Sequence, residues 1–284
     1  MKNIAVLHLE PTTNCNAACP QCRRTIKEFV SAELSIDDVT RIFSVEFIKS
    51  LDKIFMCGNL GDPAAAKDTI EIFKFFRKLN PDIVLGMNTN GGIRTTKWWK
   101  ELAHVMSNPQ DYVVFSIDGL ADTNHIYRKN VVWDRVMNNA TSFINAGGNA
   151  HWDMLVFEHN EHQVDLVEQL AIDMKFSWFR AKVSKRHTTI PVSWLNPPRN
   201  WIDPVVSYGD IDCHALKENS IFVDAQGNFF PCCWLGTSEY KLSDFDAIKA
   251  NWGTNKQNSI CTRTCAKNVL GTSFTNQWQI MNKL

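Results

Sequence analysis

Cys15-Asn16-Ala17-Ala18-Cys19-Pro20-Gln21-Cys22 follows directly on the apolar run Ile4-Ala5-Val6-Leu7-His8-Leu9. The run reads as a first strand and the cysteines as the loop at its end. Thiolates spaced C-x3-C-x2-C can converge on one soft metal centre. A structural zinc ion wants four protein ligands, and neither His nor Cys follows closely enough to be the fourth. An iron–sulfur cluster held by three thiolates, with one iron left open, fits this spacing better.

Downstream of the loop the chain alternates between helical and extended patterns. Ser35 to Leu51 predicts a helix, capped by Ser35, with Asp37 and Asp38 at its positive end and Ile36, Val39, Phe43 and Phe47 on one face. Strand Lys53–Cys57, helix Lys67–Leu79, strand Ile83–Asn88, helix Thr95–Met106 and strand Tyr112–Ile117 follow. Helix Trp133–Ala146, strand His151–Phe157, helix Glu161–Met174 and strand Phe176–Ala181 complete the series. Six alternations without an antiparallel hairpin predict parallel strands joined by right-handed crossovers. Periodicity allows either a doubly wound sheet or an incomplete barrel. In both, ligands bind at the carboxyl ends of the strands. Cys15 to Cys22, Gly58 to Pro63, Asn88 to Gly91 and Ser116 to Gly119 all fall there.

Composition narrows the function. Thirty basic residues balance thirty acidic ones, so no global charge points to nucleic acid or an anionic membrane. No apolar run reaches membrane-spanning length. The chain enters a strand without the segments of a secretion signal, so the expectation is a soluble cytoplasmic protein. The nine cysteines cluster at 15/19/22, 57, 213, 232/233 and 261/265. A secreted disulfide scaffold is shorter and spreads its cysteines, so metal binding in a reducing compartment is preferred. Cys57, ending an apolar strand, reads as a buried inert thiol.

The cysteine loop resembles the cluster-binding signature of the radical S-adenosylmethionine (radical SAM) enzymes. In that family three cysteines hold a [4Fe–4S] cluster, and the methionine end of SAM chelates the open iron. Gln21 stands where the family usually has an aromatic residue. The resemblance implies an α/β fold, a partial (β/α)6 TIM-like barrel, and so tips the choice between the two sheets. Gly61-Asp62-Pro63 resembles the end of the family's Gly-Gly-Glu-Pro motif, implying contact of Gly61 and Asp62 with the methionine ammonium. Asn90, in Thr89-Asn90-Gly91, resembles the family's third strand ending. Ser116 and Asp118 sit where the fourth strand offers groups to ribose and methionine, and Arg128 resembles the arginine that meets the methionine carboxylate. Glu158 and Asn160 are further candidate contacts. Arg180, Lys182, Lys185, Arg186 and His187 read as a solvated loop, the alternative being a face for an anionic substrate or an acidic electron donor.

Residues 182–212 break the rhythm with Pro191, Pro197, Pro198 and Pro204, and read as a bridge over the barrel mouth carrying Trp194 and Trp201. Residues 1–181 then form the barrel and 213–284 a second, smaller unit. In that unit Cys213, thirteen residues, Gly227, four residues and Cys232 resemble the opening of the SPASM and Twitch extensions of radical SAM enzymes. Cys213, Cys232, Cys261 and Cys265 would make one auxiliary [4Fe–4S] cluster, the Twitch type. A four-cysteine zinc site is the alternative, and Cys233 is unassigned.

The resemblance implies an enzyme that takes an electron from a flavodoxin- or ferredoxin-like donor and cleaves SAM to a 5′-deoxyadenosyl radical. That radical abstracts a substrate hydrogen atom, and an oxidoreductase acting on a small molecule is the expectation. A peptide-modifying enzyme is the alternative, mildly disfavoured because no extra domain precedes the barrel. A non-catalytic two-cluster electron carrier is the rival from another class.

Overall fold

The structure is a computed structural model describing residues 4–184, 186–187, 189–202, 209–237 and 239–266. Lys185, Pro204 and residues 267–284, all part of the sequence reading, lie outside the described residues. The strands are β1 (Val6–Leu9), β2 (Lys53–Met56), β3 (Val84–Thr89), β4 (Tyr112–Ser116), β5 (Ala150–Val156), β6 (Trp178–Val183), β7 (Ser220–Val223) and β8 (Phe229–Phe230). The helices are α1 (Arg23–Ile26), α2 (Ile36–Ile42), α3 (Val45–Lys49), α4 (Thr69–Leu79), α5 (Thr96–Val105), α6 (Asn124–Tyr127), α7 (Trp133–Asn145), α8 (Val164–Asp173), α9 (His214–Lys217), α10 (Phe245–Ala250) and α11 (Ser259–Cys265).

Strand order decides what periodicity could not. The sheet runs β6-β5-β4-β3-β2-β1-β7-β8, so β1 to β6 lie side by side in chain order and all parallel. A doubly wound sheet needs a reversal of that order, and none occurs here. Right-handed crossovers in one direction put every helix on the same face. The sheet therefore curls into a partial barrel with its helices outside.

The alternating faces agree. Leu7, Ile54, Leu85, Phe115 and Trp152 point outward and join Phe73, Trp99 and Phe143 of the helices in one core. Their period-two partners line the interior. There His8 meets Phe55 and Phe222 edge-on, and Tyr112 stacks on His151 with ring centres 5.1 Å apart. These rings, with Trp178, close the floor of the barrel. Toward the carboxyl ends the inward row becomes polar: Cys57, Asn88, Ser116, Asp153, Arg180 and Lys182 by strand register.

Two local readings need correction. The helix expected over Ser35 to Leu51 is two helices. Ser35 and Asp38 form a capping box on α2, but Phe43 turns extended and buried. Ser44 then caps α3 through the Phe47 amide, because a second capping serine competes with continuing the helix. The basic stretch Arg180–Lys182 is also no solvated loop. It belongs to β6 and its charges turn inward.

β7 comes from the 213–284 segment, yet it pairs parallel to β1 and extends the main sheet. It turns through Asp224 to Asn228, with Gly227 at φ +79°, into antiparallel β8. A left-handed residue is what a tight hairpin turn requires, and glycine adopts it without strain. Among the described residues no helix is long and apolar enough to cross a membrane.

Candidate functional site

The loops at the carboxyl ends of β1 to β4 meet. Asn90, just after β3, reaches the cysteine loop: its Nδ2 donates to Asn16 Oδ1 at 2.8 Å and lies 3.6 Å from Cys15 Sγ. Arg128, after α6, lies 3.9 Å from Cys19 Sγ through Nη1. Its Nε donates to Asp118 Oδ2 at 2.6 Å. Backbone bonds close the ring, from Ala18 N to Lys129 O and from Asp62 N to Asn14 O. Cys15 and Cys22 are half-buried and Cys19 is buried, all as free thiols.

Asp62 holds the second and third loops together. Its carboxylate accepts from Thr89 Oγ1 (2.8 Å), Asn90 N (2.7 Å) and Ala64 N (2.9 Å). Burial raises its pKa, against those three bonds. Gly61 packs so tightly that a Cβ there would lie 1.8 Å from Thr12 O. Glu10 supports the same loop by accepting from Leu60 N (2.7 Å) and Gly61 N (3.1 Å). Burial pushes the Glu10 carboxyl up to about 7.

Asp118 has no open oxygen on this side. Its Oδ1 accepts from Leu155 N and its Oδ2 from Arg128, so it positions Arg128. Burial alone would lower the Arg128 pKa, but the charge of Asp118 and its hydrogen bond work against it and hold Arg128 firmly protonated. Ser116 lies on the inward row, half-buried, one register step from Asp153. Asn160 is spent internally, donating to Asp118 O and Leu155 O and accepting from Phe157 N. Glu158 pairs with Asn196 and Arg199 near the surface. Cys57 faces the interior, its thiol pushed up by burial first and then by the charges of Glu10 and Asp62.

One feature was not legible in the motifs. Gln21 is fully buried and ties the cysteine loop to the segment after β6. Ser184 Oγ donates to its Oε1 at 2.7 Å, its Nε2 meets His187 Nδ1 at 3.3 Å, and Arg186 donates to its carbonyl at 2.9 Å.

The donor chemistry fits an iron–sulfur cluster. Burial, then the charge of Asp62, pushes Cys15 up to about 12, and burial also raises Cys19. Thiols so placed ionise only when metal cations compensate them. Among the described residues no three His, Cys, Asp or Glu side chains form a ready site for one metal ion, whereas a cubane offers each thiolate its own iron. In the C-terminal segment, Asp212 N donates to Cys265 O at 2.7 Å beside the Ile211–Ala266 bridge. Cys213, Cys232 and Cys261 are raised by burial, and the charge of Cys265 adds to each. Cys232 also packs against Cys261 in one small apolar cluster. Cys233 is raised by burial and then by Cys57, on the barrel side.

Comparison with known proteins identifies the arrangement. The family model described as Radical SAM superfamily matches residues 9–170. Streptococcus suis SuiB bound to S-adenosylmethionine superposes with a TM-score of 0.61 at 16% identity, over 89% of this chain and 67% of that one. Native anSMEcpe with bound AdoMet gives 0.58 at 16%, over 81% and 74%. BtrN in complex with AdoMet and 2-DOIA gives 0.55 at 14%, over 99% of both chains. No curated protein matches the chain in sequence.

Proposed function

The chain belongs to the radical SAM superfamily, and we propose that it is an oxidoreductase-type member that cleaves SAM reductively and oxidises a small molecule. The observation that carries this reading is the meeting of the Cys15–Cys22 loop with Asn90 after β3, at Cys15, and with Arg128 after α6, at Cys19. Cys15, Cys19 and Cys22 would hold a [4Fe–4S] cluster. Bound there with SAM, the cluster supplies an electron for cleavage to methionine and a 5′-deoxyadenosyl radical.

The chain's own groups bind and orient. Asp62 fixes the 58–63 loop so that Gly61 and its neighbours present backbone to the methionine end of SAM. Arg128, held by Asp118, offers a cation to the methionine carboxylate. Asn90 steadies the cysteine loop through Asn16, and Ser116 offers a hydroxyl from β4. The floor of rings beneath excludes water from the reacting centre.

Residues 213–284 form the proposed auxiliary unit, joined to the 1–181 barrel by 182–212. Cys213, Cys232, Cys261 and Cys265 would hold a second [4Fe–4S] cluster there, whose chemistry would be that of a one-electron acceptor or of an anchor for the substrate. The full-length match to BtrN, whose complex contains 2-DOIA, supports the small-molecule reading. The complexes of SuiB with precursor peptide SuiA and of anSMEcpe with Cp18Cys peptide support a peptide as the alternative. The electron donor is proposed to be flavodoxin- or ferredoxin-like.

The test is anaerobic reduction with SAM. Replacing Cys15, Cys19 or Cys22 by Ala abolishes 5′-deoxyadenosine formation, and continued cleavage in any of the three refutes the assignment. Eight irons per chain without zinc support the second cluster; four irons and one zinc refute it.

A further inference from the structure

In the helical layer, the start of α5 and the flank of α7 border a cavity of about 550 Å³ that the SAM contacts do not use. Arg94, Thr95 and Thr96 line it from the α5 side, and Arg135, Asn138 and Asn139 from α7. All six side chains are polar, two are cations and none is acidic.

Both sides are held in place. Asn139 is buried, and its Nδ2 donates to Gly91 O at 2.8 Å and to Ile93 O at 3.1 Å. Those bonds tie α7 to the turn that leads into Arg94. Arg94 Nε donates to Ala64 O at 2.7 Å and its Nη2 to Ala66 O at 2.6 Å. The guanidinium carbon lies over the Trp98 ring, 5.7 Å from its centre. Carbonyls and a ring orient this group without cancelling its charge, and its Nη1 meets no acceptor among the described residues. Arg135 is exposed on α7 and forms no hydrogen bond or ion pair with the described residues.

Two guanidiniums bordering one cavity repel each other, and an anion between them replaces the repulsion with two attractions. Planar guanidinium forks match phosphate oxygens, and two forks call for more acceptors than the two oxygens of a carboxylate. The hydroxyls of Thr95 and Thr96 and the amide of Asn138 are further donors. The Thr95 side chain also leaves the first amides of α5 uncapped, which adds partial charge of the same sign. We propose that Arg94, Thr95, Thr96, Arg135 and Asn138 form a site for a phosphate group, free or borne by a small molecule. Its place among the helices makes the ligand a second one, distinct from the molecule that reacts inside the barrel. The site stands apart from the radical SAM reading and does not depend on it.

The test is anaerobic isothermal titration calorimetry of the reconstituted holoenzyme, saturated with SAM to keep the probes away from Arg128. The probes are inorganic phosphate, glycerol 3-phosphate and, as the uncharged control, glycerol. Both phosphates should bind and glycerol should not. The tighter of the two names the source, a free ion or a phosphorylated molecule, and either supports the site. Arg135→Gln should weaken binding roughly tenfold or more, as loss of a charge-assisted bond does. Arg135→Lys keeps the charge but not the fork, and should fall between. Lys49→Gln removes an exposed cation from α3 and should leave the affinity unchanged. Circular dichroism confirms that each variant is folded. No heat from either phosphate, unchanged affinity in Arg135→Gln, or an equal loss in Lys49→Gln overturns the proposal.

Discussion

Removing the Asp153 carboxylate should destabilise the protein far more than removing the whole charged group. Lys182 and Arg180 hold Asp153 down to about 2, against the upward push of burial. Measured against an ordinary aspartate, that difference is worth about 2 kcal/mol of stability. Asp153→Ala forfeits it and leaves two cations facing each other in the barrel, for a total loss of about 3–5 kcal/mol. The triple change Asp153→Leu, Arg180→Met, Lys182→Met removes both ion pairs of Asp153 together and should fall within about 1 kcal/mol of the wild type. Anaerobic urea unfolding followed by circular dichroism at neutral pH measures both. The folded pKa is depressed, so the Asp153 contribution is present above the unfolded value and is lost as pH falls through the folded one. The gap between wild type and Asp153→Asn should hold from about pH 8 to 6 and shrink from about pH 5 toward 2. A single variant costing less than about 1 kcal/mol, or a triple variant costing as much as the single one, would refute the reasoning.

Other outcomes follow from the same geometry. Glu10, raised to about 7, carries the opposite sign: its contribution is complete below the unfolded pKa and is lost as pH rises through about 7. Wild-type stability should fall by on the order of 3 kcal/mol across that window, and Glu10→Gln should flatten the profile in urea unfolding. Gly61→Ala drives a methyl into Thr12 O, so it should cost several kcal/mol and abolish the cluster's spectral response to SAM. Asp118→Asn should raise the concentration of SAM needed for half-maximal cleavage, because Arg128 loses the charge that fixes its Nε; an unchanged SAM dependence argues against the positioning role.

How much could be read in advance depended on the range of the signal. Cys15, Cys19 and Cys22 are close in sequence, and each strand of β1 to β6 is a local apolar pattern, so the cysteine loop and the strands were legible. The barrel was legible only through the family resemblance of the cysteine loop, because strand order is a long-range property that periodicity does not encode. The turn at Gly227 signals strands on either side of it, but the pairing of β7 with β1 was not legible, since Ser220-Ile-Phe-Val is separated from β1 by the whole barrel. The Arg180 and Lys182 charges looked like solvated loop residues for a related reason. Their partner, Asp153, is visible only once β5 and β6 are paired. Gln21 stood out in the sequence only as a departure from the family's loop, and its bonds to Ser184 and His187 were hidden because they span more than a hundred and sixty residues. Asp118 and Asn160 were noticed at the right strand ends. Only their bonds separate a group that meets a ligand from one that holds its neighbour in place.

The central claim is that one iron at the Cys15–Cys22 loop is open to SAM. It is tested most directly by the electron paramagnetic resonance spectrum of the anaerobically reduced protein before and after SAM is added. The account predicts a changed line shape on addition, followed by methionine and 5′-deoxyadenosine in equal amounts. A spectrum indifferent to SAM, in protein whose N-terminal cluster is present by iron content, would contradict it.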